Sequence, residues 1–134
     1  MDSVIKEIAE INENIKTTFV PIELDNLESV RKAVSVVDAA VEKIDVFINN
    51  AGIMAVKDFK TNNAGIESQF ATNHVGHFLL TNLLMDKILA AGRGARIVNL
   101  TSDGHKISPV RFEDYNFSVS TPLLSLSLHF PYQR

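Results

Sequence analysis

The chain has 134 residues, 46% hydrophobic and 22% charged, with a net charge of −3 and no cysteine. That balance suits one globular domain with a core and leaves too little length for two domains of ordinary size. The lack of cysteine excludes disulfides and thiolate metal sites, and no lysine or arginine cluster marks a nucleic acid or an anionic membrane as the main partner.

The first residues mix charge and apolar side chains, without the apolar stretch of a signal peptide. No apolar run approaches the ~20 residues of a bilayer span. A soluble, cytoplasmic chain is the expectation. Ile5, Ile8, Ile11 and Ile15 recur at three- and four-residue steps, which predicts one helical face. Thr18 to Ile22 favours a β-strand, with Pro21 at its end or edge. Asp25 or Asn26 then caps a helix whose apolar stripe is Val30, Val34, Val37 and Val41.

Ile44 to Ile48 is almost continuously apolar, as in a strand covered on both faces. Asn49-Asn50-Ala51-Gly52 breaks it with turn-forming residues. After a polar loop, Ile66 to Ala90 is expected as one long helix ended by Gly92, and Arg96 to Leu100 as the next strand. Strands alternating with helices predict an α/β fold with a parallel sheet. The texture changes near residue 118, where serine and leucine alternate almost without charge. The expected organisation is therefore a domain over residues 1–117 and a divergent, irregular tail over 118–134. Val119-Ser120-Thr121 can be encoded by GTA-AGT-ACN, which resembles a eukaryotic splice donor. The tail is thus expected to be a retained intron or a gene-model error, and mature message joining Phe117 to a Tyr-x-x-x-Lys exon is the check.

Three segments carry a resemblance. Asn49-Asn50-Ala51-Gly52 follows a strand, Asn73-His74-Val75-Gly76-His77-Phe78 lies on the long helix, and Arg96-Ile97-Val98-Asn99-Leu100-Thr101-Ser102 runs off the next strand. In this order they resemble the short-chain dehydrogenase/reductase family. With Phe112 to Phe117 they resemble the branch containing retinol dehydrogenases and WW-domain-containing oxidoreductases. The likeness covers Val4 to Phe117. It implies a partial Rossmann-like sheet and hydride transfer between NAD or NADP and a small alcohol or carbonyl substrate. It also implies catalytic roles for Ser102, which bonds the substrate oxygen, and Asn73, which holds a water in the proton relay. Asn50, Ala51 and Gly52 would approach the cofactor, and Glu23 and Leu24 stand where the family has an aspartate and a leucine near the adenine. The long helix often packs subunits together in this family, so a dimer through residues 66–90 is implied.

His74 and His77 sit three residues apart, but without a spaced third ligand they are expected to be structural, and no metal is expected. Phe70, Phe78, Leu80 and Leu84 are expected to pack in a core or an interface.

Two family features have no counterpart here. No glycine-rich turn follows a strand and opens a helix, and neither tyrosine after Ser102 has a lysine four residues on. Tyr115 has Val119 there, and Tyr132 lies two residues before Arg134. A phenol titrates near ~10 unaided and needs a neighbouring cation to act near neutrality. The chain is therefore expected to be a fragment inactive by itself, with a non-catalytic interaction module or a product without function as alternatives. Loss of the strands that normally lie beside Thr18–Ile22 would leave an exposed, aggregation-prone sheet edge.

Overall fold

The computed structural model describes residues 2–106 and 109–118, so the tail expected from 118 onward lies outside the described residues except for Ser118. The elements in order are α1 (Asp2–Ile11), α2 (Leu27–Ala40), β1 (Val46–Asn49), α3 (Ser68–Phe70), a π-helical segment Ala71–Gly76, α4 (His77–Leu83), α5 (Met85–Ala90) and β2 (Arg96–Asn99). The expected α/β character holds. β1 and β2 pair in parallel, Val46 opposite Arg96 through Asn49 opposite Asn99. The crossover between them is the whole helical run from α3 to α5, as a parallel pair requires.

α1 ends at Ile11, short of Ile15. Asn12 turns the chain there, its side chain accepting the Asn14 N–H at 2.9 Å. Such local side-chain bonds compete with helix propagation. The expected strand at Thr18–Ile22 does not form: these residues carry no strand pairing, and Phe19 and Ile22 are exposed. A strand needs a neighbour to satisfy its backbone, and none of the described residues offers one.

α2 begins where expected. The Asn26 carboxamide oxygen accepts the Glu28 and Ser29 N–H groups at 3.1 and 3.2 Å. Of the predicted stripe, Val30 is fully buried and Val34 and Val37 half-buried, while Val41 lies past the helix end and is exposed. Ala33 joins the buried side. This face packs on α4, and the small core collects there: Leu24, Val30, Ala33, Ala71, Leu84 and Ile88.

The long helix departs from a single regular run. Glu67 opens it, its two carboxylate oxygens accepting the Gln69 and Phe70 N–H groups at 3.0 and 2.8 Å. The π segment follows, Leu84 (φ −96°, ψ 3°) separates α4 from α5, and Gly92 at φ +75° ends the helical stretch as expected. Gly76 lies against the Leu24 backbone, where a β-carbon would strike the carbonyl.

The expectation that β1 is covered on both faces is corrected. Val46 and Ile48 are 57% and 56% exposed, whereas Phe47 and Asn49 point inward. The helical run covers β1 on the side of Phe47 and Asn49, while its other side and every residue of β2 are exposed. Among the described residues no helix is long and apolar enough to cross a membrane.

Candidate functional site

Both strands end at one rim. Beyond their carboxyl ends lies a cleft of about 230 Å³, lined by Asn49 to Met54 after β1, by Asn73 and His77 from the helical run, and by Leu100, Thr101 and Ser102 after β2. Ligands in open α/β sheets bind at such ends, where the chain leaves the ladder and exposes backbone groups. Asn50, Ala51, Gly52, Asn73 and Ser102, three widely separated stretches of sequence, therefore share one wall.

Asn73 is committed through both atoms of its amide. Its Oδ1 accepts the Ile53 N–H at 2.8 Å and its Nδ2 donates to the Ile53 carbonyl at 2.8 Å. A mid-helix asparagine is intrinsically unfavourable, and here it pins the turn after β1 like a strand partner. Gly52 sits beside it; a β-carbon there would lie 3.1 Å from Asn73 Oδ1. The absent side chain at Gly52 thus keeps both the clamp and the cleft open.

Ser102 is half-buried. Its Oγ accepts the Gly104 N–H at 3.2 Å and its carbonyl faces His105 Nδ1 at 2.6 Å. No described hydrogen bond uses the hydroxyl proton, so Ser102 can donate into the cleft.

Two residues outside the expected site residues complete the rim. Asn49, buried at the end of β1, donates from Nδ2 to Asn99 Oδ1 at 2.8 Å and to Thr81 Oγ1 at 3.0 Å. His77 places Nδ1 2.9 Å from Asn49 Oδ1 and Nε2 2.7 Å from the Ala51 carbonyl. The available signal was Asn49 itself, a polar residue at the inward-facing end of an apolar strand, which demands a buried partner.

The two histidines differ. His77 is satisfied at both nitrogens, as expected. His74 is not: its Nδ1 is buried with no hydrogen-bond partner, and its ring stacks between Phe70 and Phe78 at centroid distances of 5.3 and 6.4 Å. Burial, and secondarily the nearby positive charge of His77, hold its pKa below the ordinary 6.5. Of the expected packing residues, Leu84 is buried, Phe70 and Leu80 are half-buried, and Phe78 is exposed.

Glu23 and Leu24 do not line this cleft. Leu24 is buried in the core. Glu23 is exposed and borders a separate, larger recess of about 550 Å³ with Asn26, Glu28 and Asn62. Tyr115 contacts the Phe70 ring at 5.9 Å and does not reach the cleft either.

Comparison with known proteins bears on the fold. A family model described as short chain dehydrogenase matches residues 1–118. Retinol dehydrogenase 13 of Homo sapiens is 43% identical over 96 residues, covering 72% of this chain and 28% of that protein. A solved structure of an uncharacterized protein from Mycobacterium paratuberculosis superposes with a TM-score of 0.68 at 34% identity, covering 92% of this chain and 43% of the other. The NADPH-bound carbonyl reductase from chicken fatty liver shares the fold, with a TM-score of 0.62 at 18% identity over 95% of this chain and 49% of that one. The chain thus spans less than half the length of each of these proteins.

Proposed function

This chain belongs to the short chain dehydrogenase family, and we propose that it forms part of an NAD(P)-dependent oxidoreductase acting on an alcohol or carbonyl. The carrying observation is the convergence of Asn50–Gly52, Asn73 and Ser102 on one cleft at the carboxyl ends of two parallel strands.

The residues present fit a nicotinamide cofactor on this side of the molecule. Gly52 carries no β-carbon beside Asn73, and Asn50 and Ala51 line the same cleft. Those three residues would hold the cofactor beside the cleft; Glu23 borders a separate recess, and only the family resemblance assigns it to the adenine end. When bound, such a cofactor supplies the hydride donor or acceptor. Ser102 then donates its hydroxyl proton to the substrate oxygen, a bond that strengthens as negative charge develops there. Asn73 fixes the Ile53 backbone through both amide atoms, and the water of the proton relay that the family resemblance implies is assigned to the same residue.

Tyr115 has Val119, not a lysine, one helical turn on, so it lacks the neighbouring cation that a tuned phenol proton donor needs. The isolated chain is expected to show no turnover of an alcohol panel with NAD or NADP. Oxidation above background that disappears in Ser102→Ala would overturn that statement. The cleft assignment has its own check: saturation with NADPH should shift the amide resonances of residues 50–54, 73 and 102. Shifts confined to other residues would reject the site.

A second reading rests on the outer helix surface. Phe78 and Leu89 are 63% and 67% exposed on α4 and α5, as suits a non-catalytic module that pairs with another copy or with a full-length relative. Co-purification lost in Phe78→Glu would support it; a strictly monomeric, partner-free chain would reject it.

A further inference from the structure

His77 ties three elements together, although the proposed chemistry does not use it. The residue is 8% exposed. Its Nε2 lies 2.7 Å from the Ala51 carbonyl. A carbonyl only accepts, so Nε2 carries a hydrogen whatever the charge on the ring. Its Nδ1 meets Asn49 at 2.9 Å, Asn49 reaches Asn99 and Thr81, and the Thr81 hydroxyl lies 2.7 Å from the His77 carbonyl one turn back. The network therefore runs from the last residue of β2, through the last residue of β1, to the turn that lines the cleft.

Only two proton arrangements satisfy it. With the ring cationic, Nδ1 donates to Asn49 Oδ1, while Asn49 Nδ2 donates to Asn99 Oδ1 and Thr81 Oγ1. With the ring neutral, Nδ1 becomes an acceptor and Asn49 must turn its amide over to donate. Asn99 then turns as well, and the Thr81 hydroxyl redirects to Asn49. The bond from Nε2–H to Ala51 is common to both arrangements. The groups bonded to the ring are the Asn49 amide from β1 and the Ala51 carbonyl from the turn, with the Asn99 amide on β2 and the Thr81 hydroxyl on α4 bonded to Asn49 behind them. β1 carries no charged side chain, Arg96 lies at the opposite end of β2, and no described ion pair involves His77. On its own helical run, His74 is the titratable neighbour that feels its charge.

We propose that His77 is a positioning residue for this cleft: its Nε2–H, held as donor to the Ala51 carbonyl, fixes the Asn50–Gly52 turn against the helix, and its Nδ1 sets the amide orientation of Asn49 and Asn99. Its consequence for catalysis rests on the dehydrogenase reading, whereas the hydrogen-bond assignment does not.

The test is imidazole nitrogen NMR on the full 134-residue chain across pH 4 to 9, with the His77 signals assigned by their loss in His77→Gln. The expected result is a neutral His77 in the Nε2–H form alone, with the Asn49 and Asn99 side-chain amide signals moving in step as Nδ1 gains its proton. A mixed tautomer, or Nδ1–H in the neutral form, overturns the proposal. Two variants separate positioning from bulk packing. The glutamine amide nitrogen of His77→Gln can occupy the Nε2 position, and that of His77→Asn the Nδ1 position. Hydrogen exchange at the Ile53 amide should be unchanged in the first and roughly fivefold to tenfold faster in the second, the effect of losing about one hydrogen bond. Equal acceleration in both variants also overturns it. None of these readouts needs a cofactor, so a failure of NADPH to bind would reject the dehydrogenase reading and leave the His77 assignment standing.

Discussion

Gly76 sits where the end of the π segment presses on the Leu24 backbone, and a β-carbon there would collide with the carbonyl. Backbone cannot move aside as a flexible side chain can. Gly76→Ala should therefore lower the urea unfolding free energy by about 1–3 kcal/mol, the usual scale of overpacking. Gly94→Ala, whose added methyl would meet nothing within 4 Å, is the control and should leave stability nearly unchanged. His74 supplies a pH prediction at the same scale. Its pKa in the folded chain is held below the ordinary 6.5, chiefly by burial and then by His77. Between the lowered folded value and the unfolded one, the unfolded chain binds more protons. Stability from His74 is therefore present above about 6.5 and is lost as pH falls through the folded value. Unfolding midpoints measured from pH 8 down to pH 5 should fall less steeply in His74→Phe than in the parent chain. An identical slope in the two proteins would rule out His74 as the source.

Among the elements, α2 depends on a single cap that the sequence announces. Asn26 accepts two amide hydrogens at the helix start, so Asn26→Ala should cost about 1 kcal/mol of stability by chemical denaturation. This cap, the β1–β2 pair and the Gly92 terminator are legible because each depends on local chemistry or a short apolar run. The π segment is not. Its extra residue per turn lets Asn73 clamp Ile53 while His77 reaches Ala51, and those partners lie 20 and 26 residues away. Regular helical periodicity contains no sign of such distant bonds. Thr18–Ile22 shows the reverse limit: β propensity is present, but strand formation needs a neighbour, which no short window reveals. At the site, Asn50–Gly52, Asn73 and Ser102 were readable from motifs in chain order. Asn49 was visible as the first residue of the turn motif but not as the buried partner of His77, and Glu23 lies on a separate recess while its neighbour Leu24 packs in the core. If the Asn73 clamp shapes the turn, Asn73→Ala should accelerate hydrogen exchange at the Ile53 amide by at least about fivefold, from the loss of one or two hydrogen bonds, while leaving amides in α2 unaffected.

For the molecule as a whole, the decisive feature is a sheet of two strands with one uncovered face. Val46 and Ile48 project from β1 into solvent, Val98 opposite Ile48 and Leu100 beyond β2 are also exposed, and no described strand pairs with the outer edge of β1. An edge of this kind presents unpaired backbone donors and acceptors next to apolar side chains, the combination that recruits another strand. Apolar side chains of this size contribute about 1.5–3 kcal/mol each when fully buried, so self-association that covers even a few of them offsets much of its entropic cost. The chain should therefore show concentration-dependent association by light scattering at neutral pH. Replacing Val46 and Ile48 together with lysine puts charge on the open face without touching Phe47 or Asn49, which point inward. This double variant should shift the distribution toward monomer while keeping the helical circular dichroism signal. If association is unchanged in Val46→Lys/Ile48→Lys but abolished by Phe78→Glu, the contact runs through α4 rather than the sheet, and the open strand face is not what draws the copies together.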